Sequence, residues 1–203
     1  MATNGRNVKS ASKNASSADA TNAHEREKDF LNESEIEKFL EAAKRGRYGT
    51  RDHLLMLMMY RHGLRVSELI GLRRDDVNLE QARLWVGRLK KSLSVEQPIA
   101  GDELRAIKRY LATRTDKLPW LFLSERGQPM TRQAVNYLVG VISAMAGLKN
   151  VHLHTLRHST GYYLANQGTD LRTMQDYMGH RDPKHTVRYT RVAGIRFEGL
   201  WKR

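Results

Sequence analysis

The sequence predicts a mainly α-helical domain that carries one small antiparallel β-sheet. Apolar residues recur at helical spacing in several segments, and glycines follow the ends of three of them. Strand character is confined to two short stretches, 83–86 and 95–99. The chain has 203 residues and no cysteine, which is enough for one domain with an ample core, and we place that domain at residues 30–203.

Residues 1–29 differ in composition from the rest of the chain. They are rich in Ala, Ser, Asn and Thr and contain no Leu, Ile or aromatic residue. Such a segment cannot bury enough apolar surface to offset the entropy lost on folding. We therefore expect a disordered tail over 1–29.

The first helix is marked by its N-terminal signals. Asn32 suits the N-cap position, and Glu35, three residues later, completes a capping box. Leu31 and Ile36 flank this start as a hydrophobic staple. These signals predict that ordered structure begins at about residue 30, with a helix whose apolar stripe faces the core.

The following elements are predicted from periodicity and from glycines. Residues 51–62 are apolar on nearly all sides, which indicates a central helix with Met58 and Met59 as core residues. A short helix should begin near Ser67, and the two strands should form a hairpin around a turn at 88–94. Further helices are expected at about 101–114, 131–146, 154–167, 170–178 and 183–191, with Gly147, Gly168 and Gly179 at three of their ends.

The charge of the chain points to a polyanionic partner. The formal net charge is +13, and nucleic acid is the default partner for so basic a protein. No Asp or Glu occurs from Arg126 to Thr169, where four basic residues and three histidines fall, and this asymmetry suits a surface that meets phosphates. The alternative is a merely basic, solvated surface. No apolar stretch approaches the length of a membrane span, so we expect a soluble, cytoplasmic protein without a membrane partner.

Residues near the C-terminus indicate a phosphate-cleaving site. His154 and Arg157 are three apart, so on a helix they share one face and could offer an imidazole and a guanidinium to one anion. Tyr189 lies nine residues after His180. A phenol is a plausible nucleophile only where cations surround its target.

Two upstream motifs supply further cations, and the ordered set resembles a known family. Arg65 lies in GLRVSEL, and Lys90 lies in the basic run RLKK between the two strands. With HTLRHS and YMGHRDPKHTVRYT, these motifs resemble the tyrosine recombinase (phage-integrase-like) family over roughly residues 30–203, that family's whole catalytic domain. The motifs RLKKS, LANQGTD and QDYMGHR are most similar to the Fim-type fimbrial phase-variation invertases.

The resemblance implies a DNA breaking-rejoining fold and a covalent mechanism. Tyr189 would attack the scissile phosphate and form a 3′-phosphotyrosine bond, while Arg65 and Arg157 clamp the nonbridging oxygens. Because the covalent bond stores the energy of the cut, neither a metal nor a nucleotide cofactor is implied. Glu68 either braces this cluster or is simply an acid at a helix N-terminus.

The resemblance also assigns the proton transfers. Lys90, eight residues before Pro98, would protonate the departing 5′ oxygen, and Lys91 remains a rival for this role. His154 would take or share the tyrosine proton, and His180 would donate to the phosphate or position the nucleophile. The other histidines, His62, His152, His158 and His185, are left to packing or to the surface.

These residues allow two competing interpretations, a zinc site and a different nucleophile. His154 and His158 are spaced as two zinc ligands on one helix face, but no cysteine and no nearby carboxylate completes a coordination shell. Tyr162, Tyr163 and Tyr177 are rival nucleophiles, although none has the family's spacing from His180.

The expected function is inversion of a promoter segment between inverted repeats, which would switch fimbrial expression. The implied partners are double-stranded DNA with inverted-repeat sites, three further copies of the chain on that DNA, and DNA-bending accessory proteins in the nucleoid. An apolar cluster at Ile195, Phe197, Leu200 and Trp201 would dock on the adjacent protomer or, alternatively, on its own domain. The alternatives for function are a basic DNA-binding regulator that never cuts and a type IB topoisomerase-like enzyme.

Overall fold

The computed structural model describes residues 29–88 and 94–190. Three predictions fall largely or wholly outside these ranges: the disordered tail, the lysine pair Lys90 and Lys91, and the apolar cluster beyond residue 190. Residue Asp29, which the prediction assigned to the tail, is described.

The described ranges contain α-helices, one short 3-10 turn and three strands, close to the expected limits. The elements are, in order, α1 (Glu33–Ala43), α2 (Gly49–Arg61), α3 (Val66–Gly71), the 3-10 turn (Arg74–Asp76), β1 (Val77–Asn78), β2 (Arg83–Val86), β3 (Val95–Pro98), α4 (Gly101–Ala112), α5 (Arg132–Met145), α6 (Leu153–Asn166), α7 (Leu171–Met178) and α8 (Lys184–Thr190). The prediction of a mainly helical domain with a small antiparallel sheet is confirmed.

The start of α1 shows the predicted capping box. The backbone N–H of Glu35 donates to Asn32 Oδ1 at 2.9 Å, and the N–H of Asn32 donates to Glu35 Oε2 at 2.8 Å. Immediately before it, the N–H of Leu31 donates to Ser159 Oγ on α6 at 2.8 Å. The chain therefore enters α1 already attached to the helix that carries the HTLRHS motif.

The sheet has the order β1-β2-β3, and both pairings are antiparallel. Leu84 pairs with Val77 on one side and with Gln97 on the other. Leu84 and Val86 are buried against the core, while Trp85 between them is half exposed. The sequence analysis missed β1, because two residues are too few to show an alternating pattern.

The main core surrounds α2, which packs on α1, α4 and α6. Met56, Met58 and Met59 are fully buried in it, which confirms the methionines as core residues. A second, smaller cluster lies between α6, α7 and α8 and contains Ala165, Met174, Met178 and Tyr189. The predicted nucleophile thus belongs to a satellite core rather than to an open surface.

None of the described helices is both long enough and apolar enough to cross a membrane.

Candidate active site

The structure brings together four of the predicted site residues from separate elements. Arg65 caps the start of α3, Arg157 lies in the middle of α6, His180 follows α7, and Tyr189 lies on α8. The rings of His180 and Tyr189 stack with centroids 6.2 Å apart and planes 21° apart. Arg157 is close enough to Arg65 and Tyr189 that the charges of both residues affect the pKa of Arg157.

A single carboxylate, Glu68, sits among three guanidinium groups. Its Oε1 accepts from Arg65 Nη1 at 2.7 Å, and its Oε2 accepts from Arg88 Nη1 at 2.7 Å. Arg157 Nη1 lies 3.9 Å from Oε2. The negative charge of Glu68 offsets only one of the three positive charges. The cluster therefore keeps a net positive charge, which a bound phosphodiester would neutralise.

Glu68 fulfils both roles between which the sequence did not decide. It accepts the backbone N–H of Arg65 at 2.8 Å, which caps the start of α3. The same carboxylate braces the guanidinium groups. Burial raises the pKa of Glu68, but Arg88 and Arg65 outweigh that effect and hold the pKa below its usual value. Glu68 is therefore a buried, ionised brace.

Arg157 is buried and holds two backbone carbonyls. It donates from Nη1 to the carbonyl of Gly63, and from Nη2 to the carbonyl of Met178 at 2.6 Å. Burial, followed by repulsion from Arg65 and Arg88, lowers the pKa of Arg157 to about 9. An anion bound here would relieve the repulsion, because it would add the counter-charge that the three guanidinium groups lack.

The end of α7 is fixed by side chains from distant parts of the chain. The carbonyl of Tyr177 accepts from Gln97 Nε2 on β3 at 2.8 Å and from Arg88 after β2. Gly179 then adopts the left-handed conformation with φ +62°, and a Cβ there would lie 2.7 Å from Arg88 Nε. The missing side chain thus lets Arg88 pass beneath the turn that presents His180.

His180 is held in a neutral form. Burial, followed by the nearby cations Arg157 and Arg65, lowers the pKa of His180 to about 3. Its Nδ1 lies 2.9 Å from Thr186 Oγ1. When the Thr186 hydroxyl donates to Nδ1, the proton of the neutral ring resides on Nε2, which can then donate to a phosphate oxygen.

Tyr189 is 2% exposed and packs directly on the backbone of α6. A Cβ on Gly161 would lie 2.6 Å from three atoms of its ring, so only glycine permits this approach. The edge of the Tyr162 ring also contacts it, with centroids 5.3 Å apart. Burial raises the pKa of Tyr189, and the cations Arg157 and Arg188 partly offset that effect.

The phenol of Tyr189 is in contact with His158. His158 Nδ1 lies 3.0 Å from Tyr189 Oη, although the sequence analysis left His158 to packing or to the surface. The predicted proton acceptor, His154, lies one turn earlier with a partly exposed ring, 6.2 Å from the His158 ring. Burial, followed by Arg157, lowers the pKa of His154. The sequence signal for His158 is its spacing of four residues from His154, which places both rings on one face of α6.

The remaining predictions concern the zinc site and the rival tyrosines. Among residues 29–88 and 94–190, no group of three or more His, Cys, Asp or Glu side chains could hold a metal ion. The hydroxyl of Tyr177 donates to the carbonyl of Arg61 at 2.9 Å, so that residue is packed against α2 as expected. Tyr163 is partly exposed and lies edge-on to Tyr60.

Asp29 links the N-terminal end of the described chain to the nucleophile helix. Its Oδ2 lies 2.5 Å from Arg188 Nη2 on α8 and 3.8 Å from His158 Nε2. Next to it, the Phe30 ring packs on Tyr162 with centroids 3.9 Å apart. The environment of Tyr189 therefore includes Asp29, which lies 159 residues before its partner Arg188 in the chain.

Comparisons with known proteins give a consistent result. Residues 29–194 match the model of the phage integrase family. The chain is 40% identical over 186 residues to the type 1 fimbriae regulatory protein FimB of Escherichia coli strain K12, which covers 89% of this chain and 93% of that protein.

Two solved structures share the fold. The crystal structure of XerA recombinase superimposes with a TM-score of 0.72 at 26% identity, over 79% of this chain and 59% of that one. The XerH site-specific recombinase bound to palindromic difH substrate gives a TM-score of 0.70 at 27% identity, over 83% of this chain and 51% of that one.

Proposed function

The chain belongs to the phage integrase family, and from that membership we propose that it is a site-specific DNA recombinase that cuts and rejoins strands through Tyr189. The observation that carries the proposal is the convergence of a buried phenol with three guanidinium groups whose positive charge Glu68 offsets only in part. A protein that only binds DNA needs cations on its surface, whereas a nucleophile beside such a cluster serves phosphate chemistry.

In the proposed reaction, Tyr189 attacks the scissile phosphorus and forms a 3′-phosphotyrosine bond, and the 5′ oxygen leaves. Arg65 and Arg157 stabilise the charge on the nonbridging oxygens, and His180 donates to one of them. Lys90, which lies outside the described residues, supplies the proton to the leaving oxygen. The freed 5′ hydroxyl of a partner strand then attacks the phosphotyrosine and reseals the DNA.

The proposed biological outcome is inversion of a short promoter segment between inverted repeats, which switches a fimbria on or off. The similarity to FimB, a fimbriae regulatory protein, covers nearly the whole of both chains and supports a role in switching fimbriae. Double-stranded DNA is the proposed substrate, and the XerH complex with its difH substrate supports this choice by its fold.

We further propose the assembly in which this chemistry takes place. Four protomers act on two DNA sites, and the apolar residues Phe197 and Trp201 pack on the neighbouring protomer. The proposed catalytic domain is residues 30–203 together with Asp29, which contacts Arg188. The chemistry does not require residues 1–28. The protein works in the cytoplasm at the nucleoid, together with DNA-bending proteins.

A covalent-adduct assay tests the proposed function. The full chain is incubated with a duplex that contains the inverted repeats beside its gene and carries a label on the 5′ side of the cleavage position. A nick on the 3′ side of that position lets the short fragment with the freed 5′ hydroxyl diffuse away. After denaturation, we expect label on the wild-type protein and none on Tyr189→Phe, which should still bind the duplex. His53→Ala, a substitution remote from the site, serves as the matched control.

The outcomes distinguish the three functional classes. A non-cutting regulator would bind the duplex and leave no label on the protein. A topoisomerase-like enzyme would form the adduct but would not join the cut strand to a second duplex carrying the same site. Covalent label on Tyr189→Phe would show that another residue is the nucleophile.

A further inference from the structure

We propose that His158, oriented by Asp29, is the residue that takes the proton from Tyr189 when the phenol attacks DNA. This inference rests on the proposed function, since it assigns a role within the same reaction. It differs from the expectation that His154 receives this proton, and it adds Asp29 to the site as a positioning residue.

The geometry places His158 between the nucleophile and a carboxylate. Its Nδ1 lies 3.0 Å from Tyr189 Oη, and its Nε2, on the opposite side of the ring, lies 3.8 Å from Asp29 Oδ2. A carboxylate, an imidazole and a hydroxyl in this order form the arrangement in which an imidazole serves as the base for a nucleophile. The three groups come from the segment before α1, from α6 and from α8.

The neighbouring charges favour the form of the ring that can accept a proton. Burial, followed by the cation Arg188, lowers the pKa of His158 to about 4, while Asp29 acts in the opposite direction. His154 and His152, on the same helix and at its cap, also disfavour a positive charge there. His158 is therefore neutral near pH 7. The negative charge of Asp29, whose Oδ2 pairs with Arg188 at 2.5 Å and lies 3.8 Å from His158 Nε2, favours the tautomer with its proton on Nε2. In that tautomer, Nδ1 carries a lone pair directed at Tyr189 Oη.

The proton and electron pairs balance without another reactant. The O–H bond of Tyr189 breaks, its proton moves to His158 Nδ1, and the phenol oxygen forms a bond to phosphorus. The bond from phosphorus to the 5′ oxygen breaks, and that oxygen takes its proton from the separate donor, for which Lys90 is proposed. The imidazolium formed at His158 lies opposite the Asp29 carboxylate, which stabilises it. When strands rejoin, His158 returns the proton to the phenol oxygen.

The position of the base explains how a buried tyrosine with a raised pKa can act as a nucleophile. Burial makes the phenolate unfavourable, so few Tyr189 side chains are ionised before attack. A base at hydrogen-bonding distance removes the need for a free phenolate, because the proton leaves as the bond to phosphorus forms. His154 is exposed, so its ring remains available for a phosphate oxygen.

Single-turnover cleavage of the nicked duplex, at saturating protein, tests the assignment. General-base catalysis contributes roughly 100-fold or more, so His158→Gln should cleave about 100-fold more slowly than the wild type while binding the duplex equally well. His158→Ala should regain at least part of the lost rate when free imidazole is added, whereas the wild type, Tyr189→Phe and the remote control His53→Ala should not respond. A purely structural role for His158 would not produce rescue by imidazole.

The role of Asp29 is tested by a spectroscopic readout that needs no DNA. Nitrogen chemical shifts of the His158 ring should show the proton on Nε2 in the wild type and a mixture of tautomers in Asp29→Asn. Cleavage by Asp29→Asn should fall by about tenfold, since the base is present but poorly oriented. Unchanged tautomer populations in this variant would overturn the positioning role.

Each remaining outcome is decisive. If His158→Gln cleaves at the wild-type rate, the assignment is overturned and the proposed function stands. The same holds if His158→Gln cleaves faster, because His158 would then only hold Tyr189 in a resting position. A wild-type chain that forms no adduct on its own inverted repeats would overturn the proposed function, and this inference with it.

Discussion

The guanidinium of Arg88 donates to Glu68 at 2.7 Å, and both side chains are almost completely buried, at 0% and 1% exposure. A buried ion pair contributes little net stability by itself, but removal of one partner leaves an uncompensated charge in a medium that solvates it poorly. This relationship makes Glu68 sensitive to substitution.

Glu68→Gln should destabilise the fold by about 3 kcal/mol or more, because the isosteric amide cannot compensate three guanidinium groups. Urea unfolding followed by circular dichroism measures this change. Glu41→Gln is the matched control, since Glu41 pairs with Lys44 on the surface and such pairs contribute at most about 1 kcal/mol. Equal effects of the two substitutions would contradict the role of Glu68.

The lowered pKa of Glu68 should also make the stability of the fold depend on pH. Its pKa is lower in the folded chain than in the unfolded chain, so its contribution is fully present above the unfolded value and is lost as the pH falls through the folded value. The free energy of unfolding should therefore decline on acidification below about pH 4.3 more steeply in the wild type than in Glu68→Gln.

Gly161→Ala should displace the nucleophile without unfolding the domain. The added Cβ would lie 2.6 Å from the Tyr189 ring, and a shift of about 1 Å can lower a rate by roughly 100-fold. Gly140→Ala on α5 is the control, because its Cβ would meet no atom within 4 Å and alanine favours the helix by up to about 1 kcal/mol. Adduct formation by both variants should be measured at equal DNA occupancy.

Gly179→Ala should perturb the turn before His180 more than the positive φ of Gly179 alone would cause. Both Gly179 and Gly168 have positive φ, at +62° and +72°, so alanine costs roughly 1–2 kcal/mol at either position. Only at Gly179 does the new Cβ collide with Arg88, at 2.7 Å from Nε. We expect a greater loss of stability and at least a tenfold lower cleavage rate for Gly179→Ala than for Gly168→Ala. Equal losses of stability and of cleavage rate in the two variants would show that the Arg88 side chain moves away from the new Cβ without cost.

Arg65→Lys and Arg157→Lys should both lose most cleavage activity, about 100-fold, because a single ammonium cannot make the two-pronged contact of a guanidinium. They should differ in stability. Arg157 is buried and spans two carbonyls, whereas the Arg65 side chain is 32% exposed. In thermal unfolding, the melting temperature should therefore fall markedly for Arg157→Lys and only slightly for Arg65→Lys.

Lys90→Ala should block cleavage of ordinary DNA but spare a substrate with sulfur at the 5′-bridging position, because a thiolate leaves without a proton. Lys91→Ala should cleave both substrates at rates close to the wild type. If Lys91→Ala is the variant rescued by sulfur, the proton donor is one residue later than proposed. Gel analysis of the cut strand measures both rates.

Much of the fold follows from local signals in the sequence. The capping box at Asn32 and the glycines at 147, 168 and 179 gave helix ends close to the observed ones, because caps and left-handed turns depend on nearby residues. The strand Val77–Asn78 was missed because its pairing with β2, rather than its own residues, defines it.

The site was predictable only as far as its motifs extend. Arg65, Arg157, His180 and Tyr189 occur in recognisable local patterns, and the structure brings them together. Arg88 was expected in a turn, yet it is buried, because its partner Glu68 lies 20 residues away and its contact at Tyr177 lies 89 residues away. The approach of His158 to Tyr189 likewise depends on the packing of α6 against α8.

The two carbonyls held by Arg157 also bear on how variants of this protein would behave in cells. A chain without this arginine loses the attachment of the α7 terminus to the loop at Gly63 as well as a proposed phosphate ligand. Proteases act on the opened fraction of a protein, so a loss of 1–2 kcal/mol is enough to lower abundance several-fold. A genetic screen for colonies locked in one phase would therefore recover Arg157 variants partly as degradation mutants, and immunoblots would be needed to separate them from Arg65 variants that accumulate normally.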